Sequence, residues 1–321
     1  MTPKLKSLKI SKTNLVMAIV FILGLLFMFV YKRSFFRINN ITTTLIQVSA
    51  AALLAYGMAY TLIPGGIDLS LPTIMLLSAI IGAQAIEATG NMWIGITVSL
   101  LVAVAWGCLN GICITIIGIT PFITTLVSSI IGTGLVRLIG ASRTIAVPRE
   151  YADIINGKIF GFLPVPIMIL IVVTVIMQYV LVKLPYGRTS YAIGINPLAA
   201  EACGVKAKKH IFSLFVISAT LAGIAGVILT ARLGSASVQM TNDSANMDVV
   251  CSAVVGGVSI FGGRGTITGA LLGTILLTLL QNIVNLFGMN YYIMLAIKGF
   301  ILLVFAYLDV VRNSNMNTET I

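Results

Sequence analysis

Acidic residues are scarce: the chain has 321 residues and only nine are Asp or Glu, against 20 Lys and Arg. It has one His and four Cys, and no cluster of carboxylates. That scarcity argues against a metal centre, a hydrolytic carboxylate pair and a disulfide framework. Cys108, Cys113 and Cys251 fall in apolar runs and Cys203 in a basic loop, so all four read as small packing residues. Charged residues make up only 9% of the chain, where a soluble domain carries about 25%. No Gly-x-x-x-x-Gly-Lys-Ser/Thr loop occurs; Gly257 to Arg264 comes nearest and lacks the Lys. The chain is therefore expected to be no enzyme, to need no cofactor, and to take any ATP drive from a partner.

What is present is apolar. Hydrophobic residues account for 58% of the chain and the mean hydropathy is +1.06. The class is all-α, a polytopic integral membrane protein. An apolar run of about 20 residues crosses a bilayer as a helix. About ten such runs appear, at 14–31, 45–63, 67–87, 93–118, 122–140, 165–183, 211–231, 248–261, 267–287 and 291–308. The first follows Lys4, Lys6, Lys9 and Lys12 and imitates a signal peptide. No small-residue cleavage site follows it, so it reads as an uncleaved span. The third reads as bent or re-entrant, and the eighth is short for a full crossing.

The basic residues suit the positive-inside rule better than nucleic acid binding. With an even number of spans, both termini fall on the cytoplasmic side. The chain then reads as one transmembrane domain over 1–321, with an N-tail 1–13, a loop 184–210 and a C-tail 309–321. Glycine pairs at Gly265/Gly269/Gly273 and Gly107/Gly111, with Ala219/Gly223 and Ala222/Gly226, predict close helix packing.

Two stretches carry the functional signal. The first is Ile63-Pro64-Gly65-Gly66-Ile67-Asp68-Leu69-Ser70. Proline followed by two glycines breaks a helix, and a broken helix at membrane depth must be wrapped by protein or line a cavity. Two readings of Asp68 stay open: it lies with Ser70 on an internal polar pathway, or it caps a helix starting near Leu69. Gly262-Gly263-Arg264-Gly265-Thr266 echoes this break ahead of the ninth run, and matched breaks in two halves suggest a duplicated transporter. Gln47, Asn110, Thr124, Thr125, Gln281, Asn282, Asn285 and Lys298 interrupt other runs. Neutral amides and hydroxyls suit a sugar, and interhelical bonding is the plainer reading of each. Lys298 is expected to pair with Asp68 or Asp309, or to snorkel.

The second stretch is the 184–210 loop. Asn196 suits an N-cap, Pro197 the first helical position, and Gly204 the residue past the end. A two-turn helix is marginal alone in water, so it is expected to lie against a partner. Ala199, Ala200 and Ala202 offer that partner a low surface. A plain amphipathic connector on anionic headgroups is the alternative.

The sequence resembles the permease subunits of bacterial ATP-binding cassette importers, of the ribose/xylose/galactose and autoinducer-2 branch. The resemblance rests on Gly65-Gly66-Ile67-Asp68-Leu69-Ser70 and on Asn110-Gly111 followed by Pro121-Phe122-Ile123-Thr124-Thr125-Leu126. It rests also on Gly194-x-Asn196-x-x-Ala199-Ala200-x-x-x-Gly204 and on Gly256-Gly257-x-Ser259-x-x-Gly262-Gly263-x-Gly265, over residues 45 to 309. Leu71-Pro72 departs from a small residue and Gly in many relatives. The resemblance implies an ATPase with two nucleotide-binding modules, a second permease, identical or paralogous, and a periplasmic or lipid-anchored sugar-binding protein. It implies that Asn196, Pro197, Ala199, Ala200, Glu201 and Gly204 form the segment that couples to the ATPase. Gly65, Gly66, Asp68, Ser70, Asn110 and Asn285 are the candidate pathway residues. The rival function is an ion-driven secondary transporter with Asp68 as its coupling acid.

Overall fold

The computed structural model describes residues 31–318 apart from 141–142, 160, 162 and 242–243. The expected first span, 14–31, lies outside the described residues but for Tyr31. Among them, eight helices are long and apolar enough to cross a membrane. In chain order, α1 is Ile38–Leu62, α2 Leu71–Thr89, α3 Met92–Ile112 and α4 Pro121–Gly140. The short α5 (Arg149–Asn156) precedes α6 (Val165–Lys183), α7 (Pro185–Ile195) and α8 (Pro197–Ala202). Then come α9 (Ala207–Leu233), α10 (Ala245–Val255), α11 (Ile267–Leu286) and α12 (Tyr291–Thr318). Two-residue strands make two small pairings, one of them Ile145–Ala146 antiparallel to Ser235–Ala236.

The expected spans after the first correspond to these helices, with one shortfall. In place of the run 248–261 stands α10, Ala245–Val255, of only 11 residues, about 16 Å of helix at 1.5 Å per residue. That is half a bilayer, and Gly256–Thr266 follows it without helix. Helix α3 continues as a wider π turn over Cys113–Ile117 and stops at Gly118. Helix α12 runs on past 308, through the segment expected as the start of the C-tail.

Two helices organise the bundle. Helix α1 is apolar and buried on nearly every side, with Leu53, Tyr56, Met58 and Tyr60 fully covered, as a core helix must be. Its tyrosine hydroxyls are satisfied by Thr174 Oγ1 at 2.7 Å and the Met177 carbonyl at 2.8 Å. Helix α9 packs on α1, α2 and α3 through small residues. A Cβ on Gly107 would meet Ala219 at 2.6 Å, and one on Gly223 would meet Ala103 at 2.7 Å. Gly269 and Gly273 lie against Gly256 and Ser252 in the same way, joining α11 to α10. Without a hydrophobic force between helices in lipid, such close approach supplies the packing.

Helix α9 also defines the two faces of the molecule. Its start adjoins α8, and its end adjoins the strand pair at Ala236. The 27 residues of α9 separate these faces by about 40 Å.

Candidate functional site

The chain reverses at 63–66. Gly65 and Gly66 donate their N–H groups to Leu62 and Thr61, each at 2.8 Å, and Gly65 has φ 92°, a left-handed value that favours glycine. From there 67–70 climbs back into the bundle, and α2 starts at Leu71. Its start is two residues later than expected, with Pro72 in the first turn, where its missing N–H costs nothing.

Asp68 and Ser70 are completely buried. Asp68 Oδ1 accepts from the Ser70 N–H at 3.0 Å and from Ser70 Oγ at 2.5 Å, and Oδ2 accepts from Ser218 Oγ at 3.4 Å. Asn110 Nδ2 donates to Ser70 Oγ at 2.9 Å. Thr125 Oγ1 staples α4 to the same break, accepting from the Leu69 N–H at 3.1 Å and donating to the Ile67 carbonyl at 3.0 Å. Ser218 is the twelfth residue of α9, so this cluster sits roughly 17 Å along that helix, near mid-depth.

The carboxylate is thus held by hydroxyls and one amide N–H. It satisfies Ser70 rather than the first N–H groups inside α2, and Ser70 makes no side-chain cap bond of its own. Asp68 therefore orders the approach to the helix and is not its N-cap. Lys298, expected to meet Asp68 or Asp309, instead donates to both oxygens of Asp248, at 2.8 and 2.9 Å. Asp309 accepts from Ser259 Oγ at 2.9 Å and the Ile260 N–H at 3.0 Å. Asn285 stands apart from the Asp68 group: it is exposed, in the last turn of α11. Asn282 bonds Asn40 and Thr44 across to α1, the interhelical role its position allowed.

Two cavities flank this network. One, of about 310 Å³, opens between α3 and α4 and is lined by Trp106, Asn110, Thr124 and Ser128 among apolar neighbours. Trp106 Nε1 donates to Ser128 Oγ at 2.6 Å, and the buried Thr124 hydroxyl has no partner among the described residues. The other, of about 170 Å³, lies between α2, α4 and the start of α10, with Thr73, Ser129, Thr133, Arg137, Thr241 and Asn246 in its wall. Thr125, Ser129, Thr133 and Arg137 are spaced by four and share one face of α4. Of this stripe only Thr125 is among the polar interruptions named from the sequence; Ser129, Thr133 and Arg137 are not, and their four-residue spacing was the available signal.

The 184–210 segment folds much as its residues predict. Helix α8 starts at Pro197, and Asn196 Oδ1 accepts from the Ala199 N–H at 3.0 Å. Gly204 has φ 85° just past the end. The surface differs from expectation in one respect. Ala200 turns inward and is 6% exposed, packed with Ile193 and Ala207, so it cannot belong to the low outer surface formed by Ala199 and Ala202. The outer side instead presents Leu198, 79% exposed, beside Ile195, 75% exposed. Pro197, Ala199, Glu201 and Gly204 are exposed with them. Cys203 is exposed as well, so it is no packing residue. Two bonds brace the segment at its base: Tyr186 Oη to Ser213 Oγ at 2.7 Å and Ser190 Oγ to His210 Nε2 at 2.8 Å.

The same segment touches both helix breaks. Gly263 donates its N–H to the Ile63 carbonyl at 2.8 Å. Gly194, two residues before Asn196, lies against both. A Cβ there would overlap the Ile63 carbonyl oxygen and stand 2.5 Å from Gly263 N. The echo between the two glycine breaks is thus a physical contact.

A bundle of membrane-crossing helices with paired internal breaks and a capped helix on one face defines a multi-pass membrane permease. Residues 40–306 match the model of the branched-chain amino acid transport system/permease component family, and the chain belongs to that family. It is 33% identical over 278 residues to the ribose import permease of Bacillus subtilis, covering 86% of each chain. It is 31% identical to the ribose import permease of Haemophilus influenzae, over 86% of each. It is 30% identical to the D-allose transport system permease of Escherichia coli, over 86% of this chain and 84% of that one. No solved structure matches it.

Proposed function

We infer that the chain is the membrane-spanning permease subunit of an ATP-driven importer of a monosaccharide or related small polyol in the bacterial inner membrane, with both termini cytoplasmic. A partner ATPase of two nucleotide-binding modules docks on α8, a second permease copy or paralogue completes the membrane unit, and a sugar-binding protein delivers substrate to the opposite face. The relatives' names, import permeases for ribose and a transport permease for allose, support the substrate class.

The observation that carries the docking role is α8 itself. It is a two-turn helix with its N-terminus capped and its inner side packed, yet its outer side offers a nearly bare leucine. Such a leucine loses its exposure on a partner, at about 25 cal/mol for each Å² covered. Gly194 then links that partner mechanically to both breaks. Closure of the ATPase on ATP moves α8, and the breaks move with it, switching the access of the internal cavity.

Asp68 favours this reading over an ion-driven one. A coupling acid must exchange ions with water, whereas both of its oxygens are occupied and no part of it is exposed. The test is to purify the tagged chain from its own membranes and identify what comes with it by mass spectrometry. Recovery of a double-module ATPase with wild type, and its loss with Leu198→Asp at equal membrane levels, is the expected result. Active transport by the chain alone, without ATP, overturns the reading.

A further inference from the structure

The basic residues of the chain are unevenly neutralised. Between Lys183 and His210 stand five bases, Lys183, Arg188, Lys206, Lys208 and Lys209, and one acid, Glu201. All five bases are exposed, and none makes an ion pair among the described residues. Acids elsewhere are engaged: Asp68 in the bundle, Glu87 with Arg143, Asp248 with Lys298 and Asp309 with Ser259. Glu150 and Asp153 lie on α5, which Tyr151 and Asn156 bond to Val227 and Ala231 at the far end of α9.

The fold gathers the five bases at one corner. Tyr186 and Ser190 of α7 bond Ser213 and His210 of α9, and the Tyr186 ring lies on His210 with centroids 4.3 Å apart. Each base stands within four residues of one of these bonded residues. Three of them also mark the edge of the membrane. Lys183 is the last residue of the span α6, and Lys208 and Lys209 fall in the first turn of the span α9.

An apolar stripe leads up to the bases. Val172, Val175, Ile176, Tyr179 and Val182 are exposed, and their spacing by three and four places them on one face of α6, ending at Lys183. The stripe is about 15 Å long, the depth of one leaflet, since the hydrocarbon core is about 30 Å thick. Tyr179 sits one turn below Lys183, and tyrosine suits that interfacial level. A soluble anion would use the bases and leave the stripe bare. A protein partner from outside the membrane would reach the bases and not the stripe. An amphiphile with a negative headgroup uses both, and a basic cluster at a membrane edge draws such headgroups.

We propose that this corner binds an anionic glycerophospholipid of the leaflet on the α8 side. Its phosphate is held by Lys183, Arg188, Lys208 and Lys209, and an acyl chain lies on Tyr179 and Val175. The two partners expected for the 184–210 loop then divide between its parts: α8 turns Leu198 to the ATPase, and the bases on either side of α8 hold the headgroup. The site needs only a membrane and stands whichever way transport is driven.

The test is native mass spectrometry of the full-length chain, purified in an uncharged detergent and titrated with dioleoylphosphatidylglycerol or dioleoylphosphatidylcholine. Wild type is expected to retain the anionic lipid at about a tenth of the concentration needed for the zwitterionic one, and raised salt narrows the difference. Lys183→Gln/Arg188→Gln/Lys208→Gln/Lys209→Gln is expected to abolish the preference. Lys183→Arg/Lys208→Arg/Lys209→Arg keeps the charge and the preference, which separates loss of charge from loss of fold. Val175→Asn weakens both lipids alike. Arg37→Gln, at an exposed base just before α1, leaves the preference unchanged. A Gln variant that still prefers the anionic lipid overturns the proposal, and one that also loses the ATPase in the pull-down gives the bases to the protein partner. Competition by free glycerol phosphate at the concentration of the lipid overturns it too, because the corner is then a soluble-anion site. A wild type that recovers no ATPase sinks the importer reading and leaves the lipid count as it was.

Discussion

Gly263 hands its backbone N–H to the carbonyl of Ile63 at 2.8 Å, and Gly194 fills the space beside that bond. Nothing larger than hydrogen fits there. Gly194→Ala is expected to push the two breaks apart, cutting uptake more than tenfold and lowering the detergent melting midpoint by several degrees. Gly65 makes the contrasting case. Its φ of 92° favours glycine, but nothing lies within 4 Å of a Cβ built there. Asn tolerates left-handed backbone, so Gly65→Asn is expected to keep most of the activity. Equal loss in the two variants would show that the close contact has no special role.

Helix α8 separates two kinds of substitution. Leu198→Asp alters only an exposed side chain and is expected to release the ATPase while the chain stays folded. Ala200→Arg forces a charge into the contact with Ile193 and Ala207, so it is expected to reduce the amount of folded chain in the membrane. Blue-native gels with and without the ATPase distinguish the two. A folded, ATPase-free Ala200→Arg chain would mean that Ala200 faces outward.

The residues of α8 mark its ends but not which of its sides faces inward. Caps are local: Asn196, Pro197 and Gly204 announce both ends of α8 within nine residues. A two-turn helix of alanines has no periodicity to say which side faces inward. The same divide runs through the whole chain. The spans and the glycine pairs were legible because length and close spacing mark them. Asp68's partner Ser218 and Lys298's partner Asp248 were not, because a serine in an apolar run bears no mark of what it faces. The stripe on α4 lies between these cases. Its spacing is local, but threonines bonded back to their own helix carry the same letters as threonines that face a cavity.

The Lys298–Asp248 pair joins α12 to α10, with Lys298 only 5% exposed. A buried pair adds little by itself, but removing one partner strands the other. The Asp248 side chain is 27% exposed, so Lys298→Met is expected to cost less than the ~3 kcal/mol of a fully buried pair. Asp248→Leu with Lys298→Met is expected to restore most of it, since two apolar groups leave no charge behind. Thermal melting of the purified variants in detergent reads both. Comparable losses in the single and double variants would mean that the pair's geometry, and not its charge, holds α10 in place.

Asp68 offers the sharpest separation between structure and coupling. Asp68→Asn keeps an oxygen for the Ser70 N–H and hydroxyl, and loses the charge. Asp68→Leu leaves the Ser70 N–H, the Ser70 hydroxyl proton and the Ser218 hydroxyl without their acceptor. A buried group stranded in this way costs about 1–3 kcal/mol, so the Leu variant is expected to lose most folded protein. The Asn variant is expected to fold and to import with its ATP dependence intact, at a rate reduced a few fold because the break is less firmly held. Uptake in vesicles with and without internal ATP, across imposed proton and sodium gradients, measures this directly. If Asp68→Asn removes an ion dependence that wild type shows without ATP, the carboxylate is a coupling acid after all, and the hydroxyls around it are its ion site. If neither chain responds to the gradients, Asp68 serves the break alone, and the force that moves it comes through Gly194 from the far side of α8.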